Sequence, residues 1–306
     1  MTERDDETRD PVTELRFALA EGDAAEADDA LRERVVAAAT AARAPGTSSD
    51  PPEHIAGAEV FRRTVAKLDA LLGDLAAGDW SRPALRELDV QGLVGHLIGV
   101  EELFIGAVRG DDVASGGDEH VAATQAAADR QSQQSPAATH REWFDRVTES
   151  LARVGDLDPS TPVSFYGVTL PLDALLVVRA FEMWTHEEDV RRATNRMLEG
   201  LDPERLSRMV GLVTTLLPAG IARVGRNRSG RTARLVLTGR GGGTWDVNLD
   251  GAGEHRRADI RIVVDATEFC RVVGNRQDQR GAEAIIHGDP ALAADVFVGA
   301  AALALD

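Results

Sequence analysis

The chain has 306 residues, 43% of them hydrophobic and 28% charged, with a formal net charge of −17. That much apolar sequence suffices for two ordinary domains, and so large an acidic excess argues against nucleic acid or an anionic membrane as a partner. One cysteine, Cys270, permits no internal disulfide. No run approaches 18 uninterrupted apolar residues and no signal-peptide pattern opens the sequence, so the expected setting is the cytoplasm.

Residues 1–54 read as an acidic, partly disordered extension. MTERDDETRD is too charged to build a core, Thr13 to Arg43 suits one or two short helices, and APGTSSDPPEH is a linker by its Pro, Gly and Ser content. From Ala58 to Leu75 the apolar residues Val60, Phe61, Val65, Leu68, Leu71, Leu72 and Leu75 describe one helical stripe. Asp79, Trp80 and Pro83 mark a loop, and Asp89 is placed to cap a second helix, DVQGLVGHLIGVEELFIGAVRG. His96 lies on that helix near Leu93, Val100 and Leu103. The flanking Gly92 and Gly99 are read as leaving room beside the imidazole.

The polar stretch Asp111 to Pro136 has room for a helix through HVAATQAAADRQ, with His120 and His140 read as solvated. HREWFDRVTESLARV is amphipathic and is expected to turn Trp143, Phe144, Val147, Leu151 and Val154 inward. A loop over Asp156–Pro162 and an extended SFYGVTL lead into Pro171 to Arg196. There Pro171 suits a first helical position, and Asp173 places negative charge in the first turn. Through this apolar helix runs one polar stripe of Arg179, Glu182, His186 and Asp189. At about 100° per residue the four fall within roughly 80° of one another. A carboxylate and an imidazole four residues apart on so apolar a helix suggest either a helical pair or two ligands of one metal ion.

Taken together, DW-SRP-ALRELDVQGLVGHLIGVEELF and GVTLPLDALLVVRAFEMWTHEEDVRRA resemble the mycothiol-dependent maleylpyruvate isomerase family of actinobacteria. The resemblance implies a DinB-like four-helix bundle over residues 55–199, followed by a smaller α+β, sterol-carrier-protein-like domain over 200–306. By that likeness a His of the second helix and a Glu-x-x-x-His of the last bind a divalent metal, here His96, Glu182 and His186, with zinc the first choice. It also implies mycothiol as thiol cosubstrate. The thiolate adds to the cis double bond of a maleylpyruvate-like acid, the resulting single bond rotates, and the thiol leaves from the trans isomer. Leu88 and Asp89 stand where the family usually has a Trp and a small hydroxyl residue, which affects the pocket rather than the cap.

Asp189 is placed either to accept the other ring N–H of His186 or to pair with Arg192. Arg179 is a candidate for a substrate carboxylate, with an ion pair to Glu182 or Asp173 as the plainer role. The run Arg223, Arg226, Arg228, Arg231 and Arg234 suits either a solvated loop or the attraction of an acidic substrate. His255 and His287 are read as surface residues and Cys270 as a small buried hydrophobe. In the C-terminal part Asp202–Pro203 opens a helix to about Leu217. Strands follow near Ala233–Leu237, Trp245–Leu249 and ADIRIVVDA, then a helix from Thr267 and a closing helix from Pro290.

The leading functional reading is an isomerase or thiol transferase acting on a small-molecule acid or electrophile. The same triad would also suit a two-His-one-carboxylate iron site, a geometry usually built on a β-scaffold. The non-enzymatic alternative is a regulatory or binding protein that meets a protein partner through the extension, because LRERVVAAATAARAPG resembles a stretch of anti-sigma-type regulators.

Overall fold

The computed structural model describes residues 52–111, 117–226, 228–251, 257–277 and 283–304, with 117–121 as backbone. The expected helices before Arg43, the anti-sigma-like stretch, His120 and His255 lie outside the described residues or side chains. Helix α1 (Gly57–Gly73) buries the expected stripe from Val60 to Leu72, with Leu75 half-buried beyond its end, and its first turn is tied down when Gly57 N–H donates to Asp173 at 2.6 Å. A short β1–β2 hairpin (Pro83–Leu85, Leu88–Asp89) occupies what reads as loop. Asp89 then caps α2 (Val90–Arg109), accepting from Gly92 N–H at 2.7 Å. Helix α3 (Gly117–Gln131) falls in the polar connection, and α4 (Pro136–Val154) is capped by Ser135. A second hairpin, β3 (Pro162–Phe165) and β4 (Val168–Pro171), leads into α5 (Leu172–Ala193).

The four long helices form a ring in which α1 touches α5 and α4, and α2 touches α4 and α5. Each hairpin therefore carries the chain diagonally across the bundle. Helix α3 packs on the outside of α2, and the glycines of α2 serve that contact. A Cβ on Gly95 would lie 2.7 Å from Ala128 Cα, and one on Gly99 2.9 Å from Thr124 Cα. Gly99 thus admits a neighbouring helix rather than a ligand beside His96, while a Cβ on Gly92 would meet Leu88 and Asp89 at the start of α2. Such packing explains why α2, long and apolar enough to cross a membrane, has 72% of its apolar window buried inside the protein.

Two other readings need correction. Phe144 is 43% exposed whereas Trp143 is fully buried, because the inward stripe of α4 runs through Thr139, Trp143, Val147, Ser150 and Val154. His140 is not solvated. Its Nε2 sits 2.7 Å from Asp69 on α1, and its ring lies 6.2 Å from that of Trp143.

After the bundle, Asp202 caps α6 (Pro203–Arg223). A four-stranded sheet in the order β6-β5-β7-β8 follows, built from β5 (Thr232–Thr238), β6 (Gly243–Asn248), β7 (Ile260–Asp265) and β8 (Ile285–His287). Only the β5–β7 pairing is parallel. Helices α7 (Ala266–Val273) and α8 (Pro290–Ala301) complete the layer. Helices α6 and α8 cross at Gly220 and Gly299, where a Cβ on Gly220 would come within 2.2 Å of the Gly299 carbonyl. Buried apolar residues from Ile55 to Ala300 form one connected core, so the bundle and the sheet-bearing part are packed together.

The arginine run is largely exposed, as a solvated loop would be, but from Arg226 onward its charges are paired rather than free for a substrate. Arg226 and Arg228 both bond Asp295, itself 1% exposed, while Arg231 meets Asp259 and Arg234 meets Asp246. Of these acids only Asp295 is buried, and its two arginines give that carboxylate the partners burial requires. Cys270 is fully buried, and burial pushes its thiol well above the usual range, as suits a small hydrophobe.

Candidate metal centre

His96, on the second turn of α2, projects toward α5, where Glu182 and His186 lie four residues apart on one face. One ligand atom from each of the three falls within 4.8 Å of the other two. The His96 Nε2 to Glu182 Oε1 distance is 3.8 Å, and the two imidazole rings meet edge to face with centroids 5.3 Å apart. Three donors about 2.1 Å from one tetrahedral ion would lie about 3.4 Å from one another, so a small contraction suffices to hold it.

The electrostatics favour donors in ligating form. Burial lowers the pKa of His96, which keeps its imidazole neutral. Burial would by itself raise Glu182, but the charge of Arg179, with the His96 ring beside it as a hydrogen-bond partner, outweighs this and holds the carboxyl at about 2. Metal binding requires just these states, a neutral imidazole at His96 and an ionised carboxylate at Glu182. Two imidazoles and one carboxylate are also the donor set of zinc sites that keep a position open.

Around these three lies a shell of charged groups. Arg179 is fully buried and bonds Glu182 with one terminal nitrogen and Glu101 at 2.6 Å with the other. Ser150 of α4 donates to the second oxygen of Glu101 at 2.6 Å, and the guanidinium lies 6.0 Å over the Phe165 ring. Asp173, the other acid weighed for Arg179, pairs with Arg208 instead. Asp189 takes both roles open to it and a third. Its Oδ2 lies 3.1 Å from His186 Nδ1, Arg192 approaches its Oδ1 at 3.7 Å, and Arg276 clamps both oxygens at 2.7 and 2.8 Å. Arg192 finds its stronger partner in Glu188 at 2.7 Å, which also receives Arg271. Thus α5 is fastened through adjacent carboxylates to α7 and the turn following it.

Glu182 and His186 open onto a pocket between α5, α6 and the end of α7, with walls of Val178, Phe181, Leu212, Leu216, Val273 and Leu303. Sequence reasoning did not find Glu101, Ser150, Arg276 or these walls. Glu101 left a trace, as an acid inside the apolar run of α2. Arg276 left none, since only the fold brings it to a residue 87 positions away.

Residues 61–191 match the family model of the mycothiol maleylpyruvate isomerase N-terminal domain. Two crystal structures are similar in fold. One is the mycothiol-dependent maleylpyruvate isomerase, at a TM-score of 0.51 and 12% identity over 74% of this chain and 91% of that one. The other is a histidine-to-alanine mutant of the mycothiol-dependent maleylpyruvate isomerase, at 0.50 and 13% over the same shares. No curated protein matches the chain in sequence. At that identity the structural likeness speaks for the fold alone. It takes in part of the C-terminal sequence as well, since 61–191 is under half of the chain. The match to the mycothiol maleylpyruvate isomerase N-terminal domain is thus a match of the helical segment 61–191.

Proposed function

We propose that the protein is a metal-dependent enzyme of thiol chemistry. It would be an isomerase or thiol transferase using mycothiol as cosubstrate, with His96, Glu182 and His186 holding one divalent metal, zinc first. The observation that carries this reading is the convergence of the three ligand atoms within 4.8 Å at the edge of an apolar pocket. The match of residues 61–191 to the isomerase N-terminal domain model adds to it. A metal held there supplies a Lewis acid that favours the thiolate form of a thiol.

The chain's own residues supply the rest. Glu182 brings the one negative charge among the ligands, and Arg179 fixes the direction of its carboxylate. Asp189 accepts from His186 Nδ1, which directs Nε2 inward. The apolar walls keep water from the sulfur and so preserve its nucleophilicity. In the isomerase version a thiolate adds to one carbon of a carbonyl-conjugated cis double bond, and the electron pair moves to the carbonyl oxygen. Rotation about the new single bond and expulsion of the same thiolate give the trans isomer, with no atom gained or lost. On this proposal residues 55–199 are the metal-binding unit, residues 200–306 close the pocket, and the setting is the cytoplasm.

Elemental analysis of the tag-free protein should find about one divalent metal per chain. His96→Ala should lose it while circular dichroism stays unchanged. Protein that takes up no metal even on titration would remove the catalytic reading.

A further inference from the structure

We infer that the substrate meeting the thiol in this site is an uncharged electrophile carrying an apolar chain, rather than an acid; this rests on the reading of Glu182 and His186 as the reactive end of the pocket. The walls come from three helices and the C-terminal turn, and all six of Val178, Phe181, Leu212, Leu216, Val273 and Leu303 are aliphatic or aromatic. Thr185 also lines the pocket, but its hydroxyl is spent on the Phe181 carbonyl at 2.9 Å. Polar chemistry is thus concentrated at Glu182 and His186.

A substrate carboxylate would need a cation, and the arginines beside the walls are committed elsewhere. Arg179, next to Val178, is buried between Glu101 and Glu182. Arg271 and Arg276, on either side of Val273, are held by Glu188 and Asp189. Charge balance leads the same way. Arg179 and Glu101 cancel, and a divalent metal would be neutralised by Glu182 and one thiolate. None of these three arginines beside the walls is left over for an acid, and burying a carboxylate without a partner is strongly unfavourable. An alkyl or aryl group, by contrast, gains from every apolar atom it removes from water.

The test is calorimetric titration of the full-length protein with n-alkanamides from butanamide to octanamide and with the matching carboxylates. It is run on zinc-loaded protein containing 2-mercaptoethanol and on metal-stripped protein. The amide association constant should rise roughly four-fold per methylene, the equivalent of ~0.8 kcal/mol, until the chain fills the pocket. Hexanoate should bind at least ten-fold more weakly than hexanamide in the zinc-loaded protein. Leu216→Lys, which places an ammonium on a half-buried wall position, should reverse that preference. Tighter binding of hexanoate to the unsubstituted protein, a flat chain-length series, or an unchanged preference in folded Leu216→Lys would each overturn the inference. Failure to take up zinc would instead count against the metal reading, and the series on metal-stripped protein would still decide the character of the pocket.

Discussion

Glu182→Gln separates the metal site from its role as a partner of Arg179, because it keeps the shape of the side chain and removes only the charge. Two effects are expected. Metal affinity should fall by at least roughly ten-fold, the loss seen even when groups behind the ligands are removed. In the metal-free protein the carboxyl is held at about 2, against an ordinary value of 4.5. That difference corresponds to on the order of 3 kcal/mol of stability at neutral pH. With 16% of the side chain exposed, this figure is a ceiling. The depressed pKa fixes the pH dependence. The contribution is whole above about pH 4.5 and fades as pH falls toward 2, so metal-free Glu182→Gln and the parent should converge in stability across that window. Metal affinity is read by competition with a chromophoric chelator and stability by denaturant melts of the metal-stripped proteins. Unaltered metal affinity in folded Glu182→Gln would refute ligation by Glu182. A stability difference that persists unchanged down to pH 2 would refute the electrostatic account.

Arg179→Met should cost about 3–5 kcal/mol, measured by denaturant melts, because it leaves Glu101 and Glu182 buried without their cation. A loss under 1 kcal/mol would return Arg179 to a dispensable role. The adjacent aromatics of α4 should behave oppositely in thermal melts. Trp143→Ala should cost about 3–5 kcal/mol, whereas Phe144→Ser, at a half-exposed position, should stay within about 1 kcal/mol. Removal of residues 1–51 should leave metal content unchanged and shift the melting midpoint by less than about 10 °C, well over 1 kcal/mol for a chain of this size. The cut spares Ile55, which lies in the core, and Gly57, which docks on Asp173.

Helices such as α1, α4 and α6 were legible in the sequence because each carries its own periodicity and its own ends. Val60 to Leu72 mark the inward stripe of α1, and Asp89, Asp202 and Asp289 cap helices by bonds reaching only two or three residues along the chain. The candidate ligands were legible for a related reason. Glu182 and His186 share a face through local helical geometry, and His96 stood out as an imidazole on an apolar helix, with the family resemblance joining the two. Phe144 shows the limit of periodicity, since residues at the edge of a stripe are turned in or out by their neighbours. Only the tertiary structure decided what the charges do. Asp295 collects Arg226 and Arg228 from about 70 residues away, Arg276 reaches Asp189 across 87, and Arg179 meets Glu101 across 78. Ion pairing has no period and no fixed spacing, so the partner of a charge is chosen by whatever the fold brings within reach once solvent is excluded.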